Sequence, residues 1–228
     1  MRITVIEHEA GAGLGFFEEW LGVPCEVVRP YLGESVPAHA PDGLIVLGGE
    51  ASAWDDEGYP WLPATRDLLR TSVGNGTPTL GICLGAQLMT MACGGTVERG
   101  GDGLEIGARE VVALPEAAGD PLLGGLGRAV AVQYHQDAMT ALPEGAVRLA
   151  AGDQYPNQAY RLGERAWAVQ FHPEATPEIF AGWGADEELV VEVKRAAGAL
   201  AEAWRPMAAA FARVVRDQAV RTSAPSAS

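Results

Sequence analysis

The sequence predicts an α/β fold: a mixed, mostly parallel sheet flanked by helices, followed by a C-terminal helical extension. Three observations carry this. Apolar runs near residues 3, 25, 43 and 78 alternate with helix-patterned segments, the order of a parallel sheet with helices on both faces. From about residue 96 to 171 short strands punctuated by Gly and Pro take over, which predicts antiparallel strands and hairpins that extend the same sheet. Beyond residue 186 apolar residues recur at three- and four-residue intervals, an amphipathic helical stripe.

Ile3–Ile6 reads as the first buried strand and Leu14–Leu21 as a helix. Cys25–Val28 is a second strand, and Gly43–Leu47 a third that closes on Gly48-Gly49. Tyr59–Ser72 fits a helix with Pro60 in its first turn, where a missing N–H costs nothing. Pro78–Ile82 is short, apolar and β-compatible, and Leu84–Cys93 reads as a helix ending at Gly94-Gly95. The later strands are Val111–Leu114, Ala129–Gln133, Val147–Ala151, Gln158–Leu162 and Trp167–Phe171. The C-terminal stripe runs Leu189, Val193, Ala197, Leu200, Trp204, Met207, Phe211, Val214. Pro206 within it predicts a break into two helices. The stripe is expected to pack on the chain's own sheet, with a homodimer or partner surface as the alternative. The chain divides into a domain over 1–185, a helical extension over 186–220 and a disordered Ser/Ala-rich tail over 221–228, as polar chain ends commonly are.

With 228 residues the chain holds one sizeable α/β domain plus an appendage. No run approaches the roughly 18 continuous apolar residues of a membrane helix, and Met1-Arg2-Ile3 enters a strand at once, which predicts no signal peptide. Three cysteines without scaffold spacing point to a reducing, cytoplasmic setting. A net charge of −14 argues against nucleic acid, which requires a positive footprint, and serves solubility. His8, His39, His135 and His172 show no metal-ligand spacing. Gly11-Ala12-Gly13-Leu14-Gly15 departs from Gly-x-Gly-x-x-Gly, so it reads as a loop at the rim of a pocket. Neither a metal nor an organic cofactor is expected.

Two distant segments carry chemistry. Gly81-Ile82-Cys83-Leu84-Gly85 has the glycine spacing of a nucleophile elbow, a sharp strand-to-helix turn that tolerates only small neighbours. Cys83 then sits at a helix N-terminus, where positive partial charge favours a thiolate, and the Leu84 N–H points where an oxyanion would form. Gln170-Phe171-His172-Pro173-Glu174 supplies a base and a carboxylate to orient it. Cys25 and Cys93 lack paired glycines and read as packing residues. His8, at a strand end, reads as a satisfied polar residue.

With Ile45-Val46-Leu47-Gly48-Gly49 and Gln133-Tyr134-His135-Gln136-Asp137, these segments form four blocks in an order that resembles the class I, triad-type glutamine amidotransferases. The likeness covers about residues 1–182 and is closest to the glutaminase domain of GMP synthase and its stand-alone relatives. It implies a flavodoxin-like architecture with Cys83 as nucleophile, His172 as general base and acid, and Glu174 as orienter. It further implies an oxyanion hole at Gly49 and Leu84 and substrate contacts from Gln87, Tyr134, His135 and Asp137. Trp54-Asp55-Asp56 resembles a loop bordering the glutamine pocket in stand-alone relatives, or is a solvated acidic loop. One block departs from the pattern: where GMP synthases carry Ser-His-Gly-Asp this chain has Tyr134-His135-Gln136-Asp137, and the Gln136 side chain in place of glycine would crowd the pocket or re-aim the strand.

The resemblance implies hydrolysis of the glutamine side-chain amide through a Cys83 thioester. The chain has no Gly-x-x-x-x-Gly-Lys-Ser/Thr segment, so its ammonia would either pass to a separate synthetase partner or not be the product that matters. Two rival readings are a γ-glutamyl peptide hydrolase with the same triad and a non-catalytic regulatory subunit with the same fold.

Overall fold

The computed structural model describes residues 1–223. In the first half, β1 (Ile3–Ile6), β2 (Cys25–Val28), β3 (Leu44–Val46) and β4 (Thr79–Ile82) alternate with α1 (Phe17–Trp20), α2 (Leu62–Gly74) and α3 (Leu84–Ala92). In the second half β5 (Thr96–Arg99), β6 (Glu105–Ala113), β7 (Arg128–His135), β8 (Asp137–Ala141), β9 (Val147–Ala151), β10 (Ala159–Leu162) and β11 (Ala166–Val169) precede α4 (Pro177–Gly182) and α5 (Glu187–Ser223).

Nine strands form one sheet in the order β2-β1-β3-β4-β11-β10-β9-β6-β7. β2, β1, β3, β4 and β11 run parallel. From β11 outward each neighbour is antiparallel, as the change of pattern after residue 96 predicted. β5 and β8 form a separate ribbon, absent from the sequence reading. Only Val97 of β5 is buried, so no apolar run announces it.

Alternation in the strands supplies a core on each face. Ile45, Leu80, Trp167 and Val169 face one layer with Trp204 and Phe211 of α5, and Leu44, Val46 and Ala168 face the other with Leu68, Leu88 and Met89.

Three helices differ from expectation. α1 is one turn long, because Gly15 takes φ +49°, a left-handed conformation that a helix interior excludes. α2 begins at Leu62 with Pro63 in its first turn, so Pro60 precedes it. The predicted break at Pro206 is also corrected: α5 is one helix of 37 residues. Proline removes the hydrogen bond to the carbonyl four residues back. Here that carbonyl belongs to Glu202, and Glu202 and Pro206 both lie on the exposed face, where water serves it. Trp204 and Met207 beside them are buried, and the Trp204 indole N–H donates to the Val130 carbonyl at 2.9 Å, so packing holds both halves in line. The stripe packs on the chain's own sheet, as expected. Arg221–Ser223 end α5, and the rest of the expected tail lies outside the described residues.

Candidate active site

β4 and β11 are parallel neighbours in register, Ile82 opposite Val169, and Cys83 and His172 lie just past their C-terminal ends. The chain leaves β4 at Cys83, whose N–H donates to the Val169 carbonyl at 2.8 Å. Cys83 has φ 49° and ψ −108° and is the one non-glycine with positive φ among the described residues. Such backbone costs about 1–3 kcal/mol and persists only where its surroundings impose it. Here the glycines impose it: a Cβ on Gly81 would lie 2.7 Å from the Gly85 carbonyl oxygen, and one on Gly85 would run into that of Val46. Helix α3 starts at Leu84, leaving the first N–H groups of the helix turned toward the elbow.

Just past the end of β11, the chain brings His172 to the same point. His172 Nδ1 lies 2.8 Å from Glu174 Oε1, with both side chains buried. Burial alone would lower the His172 pKa. The negative charges of Glu174 and Cys83 outweigh it and raise the ring to about 10. His172 is therefore an imidazolium at neutral pH, held between carboxylate and sulfur. The Phe16 N–H donates to the Glu174 carbonyl at 2.9 Å, which fixes the backbone behind the pair.

Gly48 and Gly49 follow β3 and close the third side. A Cβ on Gly48 would lie 2.7 Å from His172 Cε1, and one on Gly49 would lie 2.9 Å from His8 Cβ and 3.1 Å from Leu84 Cδ2. Gly49 and Leu84 are thus brought side by side. His8 Nδ1 accepts from the Trp61 indole N–H at 2.9 Å, while its Nε2 is buried without a partner. Burial lowers the His8 pKa to about 4, so it is neutral, and its hydrogen bonding is half met rather than satisfied.

A pocket of about 500 Å³ opens over this floor, and Gly49, Cys83, Gln87, Tyr134, His135, Asp137 and His172 all line it. Glu174 and Leu84 lie behind the surface. Asp137 is bound by Ser52 Oγ at 2.6 Å and by Arg99 Nε at 3.0 Å. Both ring nitrogens of His135 face oxygens, the Asp137 carbonyl at 3.0 Å and Glu105 Oε2 at 2.8 Å. Gln136 has ordinary backbone, so no glycine conformation is needed there. Its side chain turns to β5, accepting from Arg99 at 3.3 Å and donating to the Gly100 carbonyl at 3.4 Å, and it borders the pocket mouth.

Other lining residues were not anticipated. Trp183 packs tilted against the His172 ring, with centroids 4.6 Å apart, and donates to the Gly11 carbonyl at 2.9 Å, and Glu9 accepts the Glu50 N–H at 3.3 Å. Burial raises the Glu9 carboxyl, while the Glu50 N–H and the His172 charge pull it back. Gly11 and Ala12 form part of the rim, as the glycine-rich loop predicted. From the loop after Gly49 the pocket receives Glu50, Ala51 and Ser52 rather than Trp54-Asp55-Asp56. Asp55 instead accepts the Gly58 N–H at 3.0 Å, and Asp56 pairs with Arg66 at 2.6 Å. Cys25 and Cys93 are half-buried, and burial pushes both thiols up.

A cysteine elbow on a parallel sheet, facing a buried imidazolium–carboxylate pair across an open pocket, has the parts of a thiol-dependent acyl-transfer protein. The chain belongs to the class I glutamine amidotransferases: the model of that family, glutamine amidotransferase class-I, matches residues 19–182. It is 36% identical over 158 residues to the GMP synthase (glutamine-hydrolyzing) of Wolinella succinogenes, covering 67% of this chain and 29% of that protein. To the same-named protein of Thermus thermophilus it is 40% identical over 143 residues, covering 62% of this chain and 26% of the other. The chain thus spans less than a third of these relatives. Among solved structures, a glutamine amidotransferase from Methylobacillus flagellatus superposes with a TM-score of 0.82 at 28% identity, over 95% of each chain. One from Thermotoga maritima gives 0.81 at 24% identity, over 93% of this chain and 98% of that one, a likeness of fold. No helix among the described residues is long and apolar enough to cross a membrane.

Proposed function

We propose that this chain hydrolyses the side-chain amide of glutamine to glutamate and ammonia through a thioester on Cys83. The observation that carries the reading is the meeting of Cys83 with the buried His172–Glu174 pair on the floor of the open pocket. Cys83 Sγ attacks the amide carbon, and the carbonyl electron pair moves to oxygen, which accepts from the N–H groups of Gly49 and Leu84. The C–N bond then breaks as the His172 imidazolium gives its proton to the departing nitrogen. Acylation removes the negative charge on sulfur, one of the two that hold the proton on His172. The neutral ring, oriented by Glu174, takes a proton from water, whose oxygen attacks the thioester; the C–S bond breaks and the sulfur leaves with its electron pair. Gln87, Tyr134, His135 and Asp137 form the wall for the amino-acid end.

The ammonia serves a synthetase, and support comes from the names of the relatives, GMP synthases that are glutamine-hydrolyzing. The unpaired cysteines suit work in the cytoplasm.

A second reading, cleavage of γ-glutamyl compounds with larger tails, is favoured by the extent of the pocket. Besides the residues already named, its lining includes Glu9, Gly11, Ala12 and Trp183, which leaves room for a larger tail. Two measurements test both. A diazo-ketone analogue of glutamine should label Cys83 alone, and mass spectrometry finding the label on Cys25 or Cys93 overturns the nucleophile. Steady-state rates on glutamine and γ-glutamyl dipeptides then assign the substrate. Hydrolysis of neither leaves the regulatory-subunit reading.

A further inference from the structure

Behind the pocket a series of buried amides ends on the nucleophile. The Asp137 carbonyl oxygen can only accept. It takes the Nδ1–H of His135 at 3.0 Å and an Nε2–H of Gln87 at 2.9 Å. Gln87 must therefore turn its nitrogen, not its oxygen, to this carbonyl. The second hydrogen on that nitrogen meets Gln170 Oε1 at 3.3 Å. Gln170 in turn must give its oxygen to Gln87, which aims its NH₂ at Cys83, with Nε2 3.8 Å from Sγ. Reversing either amide would set donor against donor or acceptor against acceptor among buried side chains, since His135, Gln87, Gln170 and Cys83 are all buried. The far end is also anchored: Glu105 Oε2 lies 2.8 Å from His135 Nε2 and accepts from Gln158 Nε2 at 2.9 Å.

We propose that Gln170 is a further catalytic residue, whose side-chain N–H donates to the Cys83 sulfur, and that Gln87 and the Asp137 carbonyl are positioning groups that fix its polarity. A donor aimed at sulfur favours the charged form over the neutral one, and a hydrogen bond to a charged group is the stronger kind. Its work falls at two points. It holds the thiolate before attack, and it receives the sulfur again when the thioester is cleaved. While sulfur is acylated the bond is weak, so the contact favours both ends of the cycle over the intermediate. The series also joins the wall of the amino-acid end to the nucleophile through a single carbonyl. The proposal rests on the thioester reading for its catalytic meaning, but the contact itself is testable without any substrate.

The test compares Gln170→Leu, which removes the donor, with Gln170→Glu, which puts a carboxylate in its place. The readout is the pH profile of Cys83 alkylation by iodoacetamide. His172, Glu174, Glu9, Glu105 and His135 are unchanged in both variants. In Gln170→Glu the midpoint of the profile should rise by about one pH unit or more, and in Gln170→Leu by less. Hydrolysis of glutamine in Gln170→Leu should fall about 10- to 100-fold in kcat with KM little changed. An unaltered alkylation midpoint in Gln170→Glu overturns the proposal, whereas absence of glutamine hydrolysis in the unmodified chain overturns only the thioester reading. If neither variant folds, the unmodified chain decides. The side-chain amide resonances of Gln170, followed by NMR, should move when iodoacetamide alkylates Cys83. Their failure to move would remove the contact.

Discussion

The proton on His172 links the chemistry of the site to its stability. Its folded pKa, about 10, lies above the usual 6.5. The folded state therefore binds this proton more tightly, and the stabilisation is full below pH 6.5 and lost as pH rises toward 10. Denaturant unfolding between pH 6 and 10 should show that loss, and His172→Gln should flatten it. His8 has the opposite sign. Its folded pKa, about 4, predicts stability lost as pH falls from 6.5 to 4. The proposed activity rests on His172 together with Cys83 and Glu174. Cys83→Ala and His172→Ala should bring ammonia release to background, because nucleophile and base act as a unit. Glu174→Ala should leave a measurable remainder, on the order of 10²- to 10⁴-fold below the unmodified chain. Full activity in His172→Ala would sink the triad. These three residues were legible because an elbow demands glycines at fixed offsets and the base and carboxylate follow in one short block. Glu9 and Trp183 were not. Glu9 lies on the loop after β1 and Trp183 on the turn that ends α4, and only the folded chain brings each to the pocket. Gln170 lay inside the recognised block, yet its contact with sulfur depends on two amides elsewhere in the chain.

At the scale of elements, the site is a product of strand order. Cys83 and His172 meet because β4 and β11 lie side by side and parallel, and Gly48 and Gly49 join them from the end of β3. Gly48→Ala should displace the His172 ring, since the added Cβ falls 2.7 Å from Cε1. Its kcat should drop at least about tenfold while far-ultraviolet circular dichroism stays native; an unchanged kcat would show that the ring yields freely. Helix α5 offers a gain instead. Pro206 sits exposed in a continuous helix, so Pro206→Ala restores a hydrogen bond without touching the core. It should stabilise the chain by about 1–3 kcal/mol, read as a higher Tm. Apolar strands and the α3 elbow were visible in the sequence because burial on both faces leaves no polar alternative. The continuity of α5 was hidden, because proline's effect depends on which face it occupies and on what packs beside it. The β5–β8 ribbon was hidden because Arg99 and Asp137 pair across it without any apolar run.

For the molecule as a whole, the open pocket bears on rate. Arg99, Gln136 and the exposed Leu104 border the pocket mouth, and a partner docking there would cover it and gate the site. The isolated chain should therefore turn over glutamine below the roughly 10 per second typical of enzymes. A rate at or above that value, specific for glutamine, would remove the need for a gating partner and the γ-glutamyl alternative together.

The neighbours β4 and β11 come from opposite halves of the chain, and this orders the birth of the enzyme. As the ribosome delivers the N-terminal half, β4 has β3 on one side and an open edge on the other, and Cys83 is a thiol with no base beside it. Only when β11 emerges and slots between β4 and β10 do sulfur and imidazole meet. Such long-range pairing is slow compared with helix formation. Reactivity is thus a certificate that the sheet has closed. In refolding, rapid alkylation of Cys83 should return after the helical signal does, and a thiol that regained its speed first would show that the elbow alone is enough.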